Sequence, residues 1–326
     1  MPVLGCSLSS QAGRFPDGRI PYRIMKQITK QLLSGLALLH ETCGVIHTGR
    51  RMPSVLQLDV AIPAKGAIDL QPSNICFEVD QAQLLLMVDR QTAEQVTPTI
   101  SEGDIGSVRI IDLGVASWVD HHLSDNIQPE HLRALEIIPE APWGPPVDIW
   151  SLGCLVRHES NEARICLADT FGWSTAKRKL QVIEFVKGHV AFPGAASQHE
   201  SWASEDDHLA QYMEVLGPMP PELLQRGTKT PEYFDQSGMF SADLLPLRCT
   251  ADSLSQSGKL VRIPELQITS LRDFVDGAEG PFQRPPDMST EQATKFVNFL
   301  SGALTLDPDC RKRATELLQH EWLQDL

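Results

Sequence analysis

The sequence has no CxxC pair. Its seven cysteines are odd in number and irregularly spaced, which argues against a disulfide framework or a zinc site and reads them as reduced structural thiols. No stretch reaches the roughly 18 consecutive apolar residues of a membrane span. The opening MPVLGCSLSSQAGRFPDG has neither a basic start nor an unbroken apolar run. A soluble intracellular protein, cytoplasmic or nuclear and without a membrane partner, is the expectation. Positive charge is also scarce. The formal net charge of -14 argues against direct binding to nucleic acid and favours the approach of basic partners.

What is present is a chain of 326 residues, 42% hydrophobic and 21% charged, long enough for one large domain or two small ones. Ile24, Ile28, Leu32, Leu36 and Leu39 recur mostly four apart between Ile20 and Leu39, which predicts an amphipathic helix, with Gly44 as its stop signal. Val45-Ile46-His47-Thr48 is a short β-type run. Asn74 to Val79 and Val108 to Ile111 are apolar segments suited to pairing as strands, with a polar loop from Thr92 to Gly106 between them. From Val147 onward the pattern is chiefly helical, over Asp148 to Val156, Asp206 to Leu216, Thr290 to Leu306 and Ala314 to Leu323. The fold class is therefore mainly α, of α+β type.

Asp69-Leu70-Gln71-Pro72-Ser73-Asn74 places an Asn five residues after an Asp. Taken alone it reads as a surface turn. An Asp that accepts a hydroxyl proton and an Asn that holds a metal ion would both have to project from one tight loop, and this spacing permits that. Ile110-Ile111-Asp112-Leu113-Gly114 puts a carboxylate at a strand end, where it can reach phosphates through a metal. Arg133-Ala134-Leu135-Glu136 is followed by Val147-Asp148-Ile149-Trp150-Ser151-Leu152-Gly153 and by Asp307-Pro308-Asp309-Cys310-Arg311. Together and in this order, these stretches resemble the catalytic core of the protein kinases. Glu205-Asp206-Asp207-His208 running to Leu216-Gly217, and the closing His320-Glu321-Trp322-Leu323, are similar to the SR-protein-specific kinases and their fungal relatives.

The resemblance implies a protein-kinase-like C-terminal lobe lacking the β-rich N-terminal lobe, since about twenty residues precede the first long helix. It implies transfer of the γ-phosphoryl of ATP to Ser or Thr in Arg/Ser-rich proteins. Asp69 is then the base, Asn74 and Asp112 hold Mg2+, Gln71 faces the phosphates, and Val3, Leu4 and Gly5 form the adenine-side hinge. It further implies that Asp148 caps the catalytic-loop backbone and that Glu136 pairs with Arg311. Two single-residue departures remain. Gln71 stands where active members often have Lys, which weakens the case for efficient transfer, whereas Leu135 in place of the Pro of Ala-Pro-Glu bears on the rigidity of the segment's end more than on chemistry. With no roof over the nucleotide, activity is expected to be weak or absent, and a non-catalytic module that binds basic partners is the alternative. His121, His122 and His131 have no matching carboxylate or Cys to complete a metal site and read as loop histidines. Lys177-Arg178-Lys179 reads as solvated surface, and the acidic start at Glu205 as favourable to a helix dipole.

Three segments interrupt the family pattern, at 49–68, 157–182 and 237–256. The first parts His47-Thr48 from Asp69, and Gln-Ser-Gly recurs at Gln236 and Gln256 around the last. We expect them to be retained introns or gene-model errors, so sequencing of the messenger RNA should show transcripts without them. A transcript carrying all three, with the full-length protein detected, would instead make them genuine surface loops.

Overall fold

The computed structural model of the chain describes residues 4–15, 19–48, 72–78, 100–101, 105–113, 116–155, 192, 194–197, 201–235, 258–277 and 284–324. Val3, Asp69, Gln71, the Lys177-Arg178-Lys179 run and the three segments 49–68, 157–182 and 237–256 lie outside the described residues.

The periodic segment forms helix α2, Tyr22–Ala37, preceded by the short α1, Leu8–Ala12. Ile24, Ile28, Leu32, Leu33 and Leu36 are all buried, so the four-residue spacing marks the core face as expected. The helix does not stop at Ala37. Leu38–Cys43 widen into a π-helical turn that ends at Gly44, whose φ of 64° lies in the left-handed region that favours glycine. Val45–Ile46 then forms β2, antiparallel to β5, Ser117–Trp118. The two predicted strands do pair. β3, Ile75–Glu78, runs antiparallel to β4, Val108–Ile110, with Ile75 opposite Ile110 and Phe77 opposite Val108. A third strand, β1 at Leu4–Ser7, adds to the other edge of β3.

Helix α3, Pro146–Cys154, is the centre of the domain. Pro146 pre-sets the first helical φ, and every residue from Val147 to Cys154 is buried, as a helix without a polar face must be. Gly153 permits the close approach of Leu304, since a Cβ there would lie 2.7 Å from Leu304 Cδ2. Trp150 packs edge-on against Tyr212 of α4, Ser204–Leu216, with ring centroids 4.9 Å apart. Helix α5, Thr290–Ala303, opens with a capping box between Ser289 and Gln292 and buries Phe296, Phe299 and Leu300.

The predicted final helix differs from the observed one. Ala314 to Leu323 is two short helices, Ala314–Leu318 and Glu321–Gln324. His320 N donates to Leu317 O, and His320 Nδ1 accepts from Trp322 N at 3.2 Å, so the chain turns where a straight helix was expected. The turn delivers Trp322 into the core against Phe299, at 4.4 Å between centroids, where its indole donates to the Tyr22 hydroxyl. Among the described residues no helix is long and apolar enough to cross a membrane.

Glu136 and Arg311 form a bidentate pair at 2.8 and 2.9 Å with both side chains fully buried. Arg311 also donates to the carbonyls of Thr305 and Pro146 and lies 4.9 Å over the Trp150 ring. The guanidinium therefore ties the Glu136 turn and the chain at Thr305 to the central helix, and its desolvation is offset by a nearly complete set of acceptors. Glu136→Leu should lower unfolding stability in urea by about 3–5 kcal/mol, because it strands a buried cation. Adding Arg311→Met should recover part of that loss. A double variant no better than the single one would show that the arginine acts through its other contacts instead.

Candidate active site

The site is built around Asp148, in the first turn of α3 and only 1% exposed. Its Oδ2 accepts from His47 N at 2.7 Å and its Oδ1 from Thr48 N at 3.1 Å. His40, from the π-helical turn, approaches the same Oδ2 through Nε2 at 2.8 Å. Burial works against the charge of this carboxylate. The hydrogen bond from His40, with that ring's charge when protonated and the nearby His47, outweighs burial and holds Asp148 below its ordinary value. The resemblance implies a cap on the catalytic-loop backbone; among the described residues Asp148 caps His47 and Thr48, and His40 has no part in that reading.

Thr48 needs such an anchor. Its φ of 52° is unfavourable for a β-branched residue, and an N–H turned inward without an acceptor would add to the strain. Its carbonyl is held from the other side. Gln128, itself at φ 61°, donates its N–H to Thr48 O at 2.8 Å. The buried Gln128 amide donates to Val147 O and Ser151 Oγ and accepts from Ala134 N, so one side chain joins Thr48, the central helix and the segment before Glu136. Sequence reasoning missed Gln128, and a lone polar residue in an irregular segment gives no periodic signal.

The His47 ring carries the anchor toward the predicted metal residues. Its Nε2 lies 3.2 Å from Ile111 O, and Ile111 N donates to Asn74 O at 2.8 Å. These bonds bring Asn74, at the end of a short 3-10 turn, beside the residue preceding Asp112. Asn74 is buried, whereas Asp112 is exposed and left-handed at φ 65°. Asp112 and Asn74 are therefore close neighbours, although 38 positions apart in the chain. Leu4 and Gly5, the described part of the hinge-like stretch, lie on the edge strand beside β3, with Leu4 opposite Glu78. The acidic helix start is occupied internally. Asp206 accepts from Ala203 N and Arg262, Asp207 from Ala195 N and Gln211, and Glu205 pairs with Arg133. His122 stacks on Trp143 at 3.7 Å between centroids. Among the described residues no three of His, Cys, Asp or Glu cluster as a metal centre.

The protein kinase domain family matches residues 68–323. The chain belongs to that family. It is 25% identical to the serine/threonine-protein kinase SRPK of Physarum polycephalum over 320 residues, covering 94% of this chain and 62% of that protein. It is 28% identical to the serine/threonine-protein kinase SKY1 of Saccharomyces cerevisiae over 218 residues, covering 67% of this chain and 22% of that one. For SRSF protein kinase 3 of Mus musculus the identity is 28% over 217 residues, covering 66% and 28%. The chain thus spans under two thirds of the length of each relative, and within the superfamily it is SR-protein-kinase-like.

Asp148→Asn removes the negative charge and turns a donor toward amides that need an acceptor. It should lower stability at neutral pH by about 3 kcal/mol. Because folding depresses the Asp148 pKa, its contribution is fully present above the unfolded value of about 3.9 and is lost as pH falls through the lower folded value. Wild type should therefore lose stability in that acid window by more than the Asn variant does. Parallel stability curves for the two proteins below pH 4 would contradict the assignment.

Proposed function

We propose that this chain is an ATP-dependent Ser/Thr kinase acting on Arg/Ser-rich proteins, with weak turnover. The observation that carries the proposal is the neighbourhood of Asn74 and Asp112, tied through Ile111 to His47 and so to the buried Asp148. An amide oxygen and a carboxylate are hard donors of the kind Mg2+ takes when most of its remaining ligands are phosphates and water, so these residues fit that ion. When bound with ATP, Mg2+ would neutralise charge on the phosphates. Asn74 and Asp112 hold it, Asp69 accepts the proton of the attacking hydroxyl, and Gln71 donates a hydrogen bond to the phosphates. Val3, Leu4 and Gly5 form the adenine side.

The described residues correspond to a hinge and C-terminal lobe. The family's Gly-rich loop and strand Lys are not among them. Gln71 in place of Lys removes a cation from the phosphates, which supports slow transfer. The three segments 49–68, 157–182 and 237–256 are insertions into this lobe. A second reading, a non-catalytic module for basic partners, is favoured by the net charge of -14. The internally bonded carboxylates of Asp206 and Asp207 contribute little to it, so the attraction would come from the wider surface.

A filter assay with labelled ATP and an Arg/Ser peptide decides between the two. Incorporation that disappears in Asp112→Ala, while peptide binding persists, is the outcome expected of the enzyme. Binding without incorporation in wild type would replace it with the module.

A further inference from the structure

Two cysteines meet across the strands beside this site. On β1 and β3, Leu4 lies opposite Glu78 and Ser7 opposite Cys76. Between those pairings β1 has two residues, Gly5 and Cys6, where β3 has only Phe77, so β1 is bulged at that point. Cys6 is thus one residue from the direct partner of Cys76. Opposed residues in an antiparallel pair have Cα atoms about 4.5–5.5 Å apart. Combining that spacing with one strand step of about 3.3 Å gives an expected Cys6–Cys76 Cα separation of about 6 Å, inside the roughly 4.4–6.8 Å that a disulfide requires. The bulge also breaks the alternation that would otherwise send Cys6 to the opposite face from Ser7.

Two observations agree with this closeness. Burial raises the Cys76 thiol pKa, and the charge of Cys6 raises it further. The Gln11 side-chain amide donates to Cys6 Sγ at 2.9 Å and fixes that sulfur from the first turn after the strand. Cys6 is half-buried and Cys76 buried, so an oxidant meets Cys6 first.

We propose that Cys6 and Cys76 form a reversible disulfide under peroxide, stapling β1 to β3. Cys6 sulfur, as thiolate, attacks one peroxide oxygen. The O–O bond breaks, Cys6 becomes a sulfenic acid, and the other oxygen leaves as water after taking a proton. Cys76 sulfur then gives up its proton and attacks the sulfenic sulfur, the S–O bond breaks, and a second water leaves. Two thiols are oxidised by two electrons and one hydrogen peroxide is reduced to two waters. Resting on the kinase reading, the consequence is functional. β3 begins directly after Asn74 and β1 carries Leu4 and Gly5, so the staple fixes the adenine-side wall in one geometry.

The test treats the full-length chain with hydrogen peroxide, blocks remaining thiols, and maps peptides by mass spectrometry without reduction. A Cys6–Cys76 linked peptide that dithiothreitol releases is the expected result. It should be absent from both Cys6→Ser and Cys76→Ala. Thermal melting of Cys6→Ser, altered at a half-buried position, establishes that loss of the link is not loss of the fold. Cys6 recovered as sulfenic or sulfinic acid with no linked peptide, or linked to a different cysteine, would overturn the proposal. In the same samples, oxidation should change ATP affinity several-fold in wild type and leave it unchanged in Cys6→Ser. A link that forms without altering ATP affinity upholds the disulfide and removes the adenine-side assignment.

Discussion

A carboxylate at the head of a buried helix, accepting two consecutive main-chain N–H groups, is the constraint from which the arrangement of this site follows. His47 and Thr48 leave a two-residue strand with their amides turned into the protein, where no ladder partner can take them. Asp148 takes both, at 2.7 and 3.1 Å. Polar groups with so little exposure are tolerated only when bonded, so the position of the central helix and the path of the His47-Thr48 backbone are a single structural fact. The helix is in turn held by Arg311, which bonds Pro146 O in its first turn and stacks on Trp150, and by Gly153, which admits Leu304.

From that anchor the geometry propagates outward through short polar links. His47 reaches the carbonyl of Ile111, Ile111 reaches Asn74, and Gln128 closes the other side of Thr48. Three of the four non-glycine residues at positive φ among the described residues, Thr48, Asp112 and Gln128, belong to this network or adjoin it. Such conformations are unfavourable by roughly 1–3 kcal/mol each and persist where surrounding bonds over-determine them. Under the proposed kinase reading, strain concentrated at one place would suit a reaction whose catalysis is mainly positioning, since groups already fixed need not be ordered when phosphates arrive.

Much of this was legible in the sequence, and for identifiable reasons. The four-residue spacing of Ile24, Ile28, Leu32 and Leu36 survives because that helix has one wet and one dry face. The β3 and β4 pairing was readable because both strands are short apolar runs separated by a polar loop. The pairing of Glu136 with Arg311 and a cap by Asp148 on the catalytic-loop backbone came from family resemblance, since nothing in local composition joins residues a hundred or more positions apart. The missed features are those without a period. Strand β1 is four residues with a bulge, the π-helical turn after Ala37 continues a helical pattern in a wider register, and Gln128 is one buried amide in irregular chain. The last helix broke at His320 because its own ring accepts the Trp322 amide, a local bond that periodicity does not register.

Amide hydrogen exchange at His47 and Thr48 in the wild-type protein tests the central claim most directly. If Asp148 holds both N–H groups inside the folded lobe, they should exchange only through global unfolding, as slowly as the amides in the middle of the Pro146–Cys154 helix. Exchange at rates typical of a surface loop, while that helix stays protected, would show that the carboxylate does not organise the site.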